Sequence, residues 1–75
     1  MVFPEERVDD VCNLTPLGAL ELMEKGQAGD ADSLAAWSVY AIHSHLLKLG
    51  ASKFAARHHT KRLVSSIEID VVIRS

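Results

Sequence analysis

Apolar residues in the middle of the chain recur at Ala35, Val39, Ile42, Leu46 and Leu49, at spacings of 4, 3, 4 and 3. That repeat keeps the side chains on one side of a helix, at about 100° per residue. It predicts a long helix, capped by Asp30 or Asp32 and ended by Gly50 as a left-handed C-terminal residue. Trp37, Tyr40 and Leu47 fall on nearly the opposite side, with Ser44 and Lys48 between them. A helix apolar on two sides is either central in its fold or half in an interface. In so short a chain there is little to cover both sides, so Trp37, Tyr40 and Leu47 are expected to form part of a protein contact. The alternative is cover by the first helix and the N-terminal segment.

Shorter patterns flank this helix. "NLTPLGALELMEKG" predicts a helix with Thr15 as N-cap, Pro16 at its first position, Gly26 as terminator and Ala19, Leu20 and Met23 on its inner face. Ser52 caps a third helix from Lys53 to about Ser66, with Ala56, Thr60, Leu63, Val64 and Ile67 inward. Beyond it, "IEIDVVIR" alternates: Ile67, Ile69, Val71 and Ile73 one way, Glu68, Asp70, Val72 and Arg74 the other. This is the pattern of a half-buried strand.

A lone strand leaves its backbone groups unpaired. Its partner would be the N-terminal "ERVDDVC", whose alternation is poor, or a second chain, which would make the protein a homodimer through residues 67–74. The same residues also fit a continued helix, since Leu63, Ile67 and Val71 are spaced i, i+4 and i+8. The expected fold is therefore mainly α: a single small three-helix domain over residues 1–75, with a C-terminal β-strand that pairs with the N-terminal segment or with another chain.

Composition agrees with a helical domain of limited core. A chain of 75 residues buries only about 60% of the surface its unfolded form exposes. Apolar residues make up 48%, but the aromatics are only Phe3, Trp37, Tyr40 and Phe54. Cys12 stands alone, so no disulfide forms within the chain. The acidic start "MVFPEERVDD" lacks the basic and apolar regions of a signal peptide, and no apolar run approaches the roughly 18 residues that span a membrane. A cytoplasmic protein without a membrane partner is expected.

Charge changes the picture more. The formal net charge is −2, yet residues 1–42 carry eight acids against Arg7 and Lys25, while residues 43–75 carry six bases against Glu68 and Asp70. Either the molecule is a dipole that steers a charged partner, or the two halves offset each other by contact within the fold.

The bases concentrate in "KFAARHHTKR". Lys53, Arg57 and Lys61 form a row at i, i+4 and i+8, with His58 and Arg62 beside it and Phe54 among them. Such a row can neutralise phosphates while the aromatic stacks on a base, although it is equally the wet side of an amphipathic helix. The stretch "LLKLGASKFAARHHTKRL" resembles a helix-turn-helix motif: a helix ending at Gly50, Ala51, a capping Ser52 and a basic second helix. The resemblance covers about eighteen residues and implies that Lys53, Phe54 and Arg57 enter the major groove while Lys61 and Arg62 contact the backbone. It departs from the motif at Leu46, where a small residue is usual, and at His59, where an apolar one is.

Metal and enzyme chemistry find little purchase. His43 and His45 lie about 160° apart around a helix, and His58 and His59 about 100°, whereas zinc helices use i and i+4. A site drawn from His45, His59 and Cys12 has only a weak signal, and Cys12 reads as a small core residue. There is no glycine-rich phosphate loop or nucleophile elbow. A chain of this size has little room for a pocket of several hundred cubic ångströms. The expected function is that of a small non-enzymatic regulatory or adaptor protein without cofactor or metal. It would bind a protein through Trp37, Tyr40, Leu47, Ile69, Val71 and Ile73, and one version is a stoichiometric inhibitor of a nucleic-acid-handling complex. The alternatives are a helix-turn-helix DNA-binding regulator using Lys53, Phe54, Arg57, Lys61 and Arg62 on the 53–66 helix, and a structural self-assembling oligomer.

Overall fold

The computed structural model describes residues 3–66. Its described part is mainly helical, with four helices: α1 (Glu5–Cys12), α2 (Pro16–Gln27), α3 (Ala31–Lys48) and α4 (Lys53–Ser66). The expectation of three helices is corrected by α1. "EERVDDVC" is helical, so it is not the strand partner that internal pairing of the C-terminus required. The reason lies in the residues on either side of Pro4, which holds the N-cap position in extended geometry (φ −61°, ψ 138°). Phe3 before the cap and Val8 at the fourth helical position are both buried in one core cluster, the arrangement of a hydrophobic staple. Glu5 and Glu6 favour the positive end of the helix dipole, and Val11, three residues after Val8, completes the inner side. The strand expected over residues 67–74, with Ile69, Val71 and Ile73, lies outside the described residues.

The ends of α2 and α3 are set locally. Thr15 Oγ1 accepts from the Gly18 N–H at 3.1 Å, with Pro16 at the first helical position. Asp30, rather than Asp32, caps α3: Oδ1 accepts from the N–H groups of Asp32 and Ser33, and Oδ2 accepts from the Ser33 hydroxyl at 2.7 Å. Ser52 Oγ accepts from the Ala55 N–H at the start of α4. Both α2 and α3 end in Schellman motifs. The N–H groups of Gly29 and Asp30 return to Gly26 and Lys25 carbonyls, and those of Gly50 and Ala51 to Leu47 and Leu46 carbonyls. Gly29 (φ +112°) and Gly50 (φ +100°) supply the left-handed residue. Gly26, expected as terminator, is instead buried inside the last turn of α2, where a Cβ would stand 2.9 Å from Leu34 Cα.

Helix α3 is the centre, packed on α1, α2 and α4, and α1 also meets α4. The core cluster is Phe3, Val8, Val11, Ala35, Ala36, Val39 and Val64, with Cys12, Leu14, Leu22 and Tyr40 against it. Ala56 and Thr60 of α4 are fully buried, the Thr60 hydroxyl donating to the Ala56 carbonyl at 2.7 Å. On α2, Ala19 is buried but Leu20 is exposed, and Leu22 packs inward instead. The stripe expected on α3 is buried only at its start. Ala35 and Val39 are core, Ile42 and Leu46 are half-buried, and Leu49 is 71% exposed. The buried side of α3 turns to Ala36, Val39 and His43, because α1 and α4 both press on it there.

Candidate functional site

The half-buried side of α3 forms the wall of an apolar groove. Leu34, Trp37 and Ala41 follow at i, i+3 and i+7, Ile42 and Leu46 lie beside them, and Leu63 of α4 supplies the facing wall. The volume is about 520 Å³. A chain this short was expected to have little room for such a feature, but four thin helices leave α3 incompletely wrapped. Among the described lining residues polar groups are few: the Ser38 hydroxyl donates to the Leu34 carbonyl at 2.9 Å, leaving His45 as the ionisable one.

Trp37, Tyr40 and Leu47 do not share a surface. Trp37 lines the groove, Tyr40 packs against the core cluster, and Leu47 lies in a separate recess with Cys12, Asn13, His43, Lys53 and Arg57. Of the apolar groove residues only Trp37 was expected to form a contact; Ile42, Leu46 and Leu63 were assigned to the core side by periodicity, and Leu34 and Ala41 were not singled out. The Leu34, Trp37, Ala41 spacing carried the signal.

The cationic row of α4 meets the acids of α1. Lys61 Nζ stands 2.9 Å from Asp9 Oδ1 and 3.6 Å from Glu5 Oε1. The hydrogen bond to Asp9, with the nearby Glu5 charge, holds the Lys61 ammonium above its ordinary pKa. Arg57 Nη2 donates to Asn13 Oδ1 at 3.0 Å, and its enclosed Nε is 3.7 Å from Asp9 Oδ1, beyond hydrogen-bond reach but within ion-pair range. The two charged halves of the sequence thus meet along one seam. Lys53 and Arg62 are exposed, and Phe54 is 83% exposed beside Glu5, Arg57, His58 and Lys61.

His43 sits 7% exposed in the Leu47 recess, of about 260 Å³. Burial, with help from the Arg57 charge, pushes its pKa below the ordinary value. Cys12 is half-buried in the same recess and burial pushes its thiol pKa up, so the reactive thiolate is disfavoured. His45 lines the groove and His43 the recess, while His58 and His59 meet edge to face at 5.6 Å. Among the described residues no three His, Cys, Asp or Glu side chains gather around a point a metal ion could occupy. Nor is any described helix long and apolar enough to cross a membrane. Comparison with protein-family models, curated proteins and solved structures returned no match.

Proposed function

We propose that this chain is a small non-enzymatic regulatory or adaptor protein that acts by binding another protein, with the α3–α4 groove as its docking surface. The observation that carries this reading is the lining. A groove of about 520 Å³ walled by Leu34, Trp37, Ala41, Ile42, Leu46 and Leu63 offers apolar area and, among the described residues, almost no fixed charge. Catalysis needs convergent polar groups, and His45 alone does not provide them. Recognition of the apolar side of an amphipathic segment needs an apolar trough with an aromatic anchor, and Trp37 is that anchor.

The helix-turn-helix reading draws support from the Gly50 turn and the Ser52 cap. It is the weaker reading, because Arg57 and Lys61 already face Asn13, Asp9 and Glu5, leaving Lys53, Arg62 and Phe54 for nucleic acid. The inhibitor version, in which Glu5, Glu6, Asp9 and Asp10 enter a basic groove of the target, loses Asp9 and Glu5 to the same seam.

The test is affinity capture by the wild-type chain, Trp37→Ala and a Lys53→Ala/Arg62→Ala variant, followed by titration of the purified captured protein. Docking in the groove predicts at least a tenfold loss of affinity for Trp37→Ala and little change for the cation variant. The reverse pattern, or duplex DNA captured in place of protein, overturns the reading.

A further inference from the structure

The Leu47 recess gathers hydrogen-bond donors from three helices. Asn13 follows the end of α1, His43 lies on α3, and Lys53 and Arg57 stand one turn apart at the start of α4. Leu14 and Leu47 supply apolar wall, and Cys12 completes the lining. We propose that this recess binds a small phosphate monoester, with Lys53, Arg57 and His43 on the phosphate and Leu14 and Leu47 against the organic body. It shares no lining residue with the α3–α4 groove, so this site stands or falls apart from the docking reading.

Three observations converge on an anion. The first is an unmet buried donor. His43 is 7% exposed, yet it makes no hydrogen bond to any described residue. A neutral imidazole carries one N–H donor and one acceptor, and leaving both unmet in the interior is costly. A ligand oxygen in the recess would accept from that N–H. Arg57 Nε is likewise enclosed without a hydrogen bond, with Asp9 Oδ1 at 3.7 Å.

The second is charge. The lining holds two cations and, among the described residues, no carboxylate. Asp9 is the acid near Arg57, and Lys61 shares it at 2.9 Å. The field at the recess stays positive. Burial is the largest influence on the Cys12 thiol, but among the charges Arg57 acts most, ahead of Asp9, and Lys61 adds to Arg57. A phosphate monoester is mostly dianionic near neutral pH, so it offsets both lining cations, whereas a carboxylate offsets one.

The third is the helix end. The first turn of α4 contains no acid, and the Ser52 cap meets the Ala55 N–H. Helix geometry leaves the N–H groups of Lys53 and Phe54 without acceptors in α4. A phosphate beside Lys53 lies at the positive end of that helix dipole. At about 260 Å³, below the roughly 300 Å³ at which drug-sized pockets begin, the recess takes a phosphate with a small body.

Cys12 is the chain's only cysteine, so its alkylation by iodoacetamide reads occupancy of the recess. Phenyl phosphate, inorganic phosphate and phenol are titrated into the full chain at constant ionic strength. Lys53→Ala and Lys53→Gln remove an exposed cation on the lining, and Lys48→Ala removes an exposed cation off it. Circular dichroism checks that each variant is folded. The expected result is saturable slowing of alkylation by phenyl phosphate, with inorganic phosphate weaker. Its half-point should rise about tenfold or more in both Lys53 variants and stay within about twofold in Lys48→Ala. The His43 ring proton, assigned by its loss from the His43→Gln spectrum, should shift with the same half-point.

Absence of saturable protection by either phosphate overturns the proposal. So do equal losses at Lys48 and Lys53, the mark of diffuse attraction, and protection by phenol equal to that by phenyl phosphate, the mark of an apolar pocket. A His43 ring proton that does not respond to a protecting phosphate overturns the placement of the phosphate at the imidazole.

Discussion

The Lys61 ammonium of α4 lies 2.9 Å from Asp9 Oδ1 of α1, so the last cation of the Lys53, Arg57, Lys61 row is neutralised by a residue more than fifty positions earlier in the chain. The pairing makes α1 both a core helix and the cover of part of the α4 surface. Asp9→Asn should therefore free Lys61 and loosen the hold on Arg57 without touching Phe3, Val8 or Val11. The expected outcome is stronger nonspecific binding of duplex DNA at low salt, its log–log salt slope steeper by about one to two phosphates' worth of counterion release. Anisotropy titrations of labelled DNA at several salt concentrations read both. An unchanged slope would show that α1 does not mask the row.

Gly26 and Leu34 set the closest approach of α2 and α3. A Cβ at Gly26 would stand 2.9 Å from both Leu34 Cα and Cβ, and backbone cannot swing aside as a side-chain tip can. Gly26→Ala should destabilise the fold by about 1–3 kcal/mol through overpacking. Gly18, on the same helix, is the control. Its Cβ would meet Leu14 Cδ2 at an ordinary 3.4 Å, so Gly18→Ala should stabilise by up to about 1 kcal/mol through helix propensity. Urea unfolding of the two variants would give opposite signs.

Stability should depend on pH in separate windows. His43, with its pKa held below 6.5, stays neutral in the folded protein while the unfolded chain takes up a proton. Its contribution is complete above pH 6.5 and falls as pH drops below that value toward the folded pKa. His43→Gln should flatten the thermal midpoint over that range. The hydrogen bonds from Ser33 hold Asp30, and that from Arg7 holds Asp32, below 3.8, so their contribution persists above 3.8 and disappears as pH falls through the folded values. Lys61, held above 10.5, stabilises below that pH and ceases to as pH rises through its folded value.

Arg7 and Asp32 tie α1 to the first turn of α3 through two parallel bonds of 2.7 and 3.0 Å, with the guanidinium 4.7 Å from the Phe3 ring centroid. Both side chains are substantially exposed, at 42% and 61%, so solvent screens the pair. A double-mutant cycle of Arg7→Gln and Asp32→Asn should give a coupling energy below about 1 kcal/mol, shrinking at high salt. A larger, salt-insensitive coupling would mean that the pair is less solvated than its exposure indicates.

The caps of α2, α3 and α4 and the break after α3 were legible because they are local. Thr15, Pro16, Asp30, Ser52 and Gly50 act on backbone groups within a few residues of themselves, so their side chains nearly suffice to place helix ends. The helix over Glu5–Cys12 was harder to see. Its signal is a staple across Pro4 and an i, i+3 pair, too short a run to stand out beside its acids. Gly26 misled for a related reason: the break that suggests a terminator can also be the gap that lets a neighbouring helix approach.

By itself the sequence determined a mainly helical chain, the apolar repeat of its longest helix and the separation of its acids from its bases. Which part of that repeat is core and which lines a groove depended on how far α1, α2 and α4 wrap α3, a matter of helix number and direction that periodicity does not encode. Whether the cations face water or carboxylates depended on α1 lying against α4. Hydrogen bonds at helix ends are made between near neighbours in the chain, whereas burial and ion pairing are made between surfaces that only packing brings together.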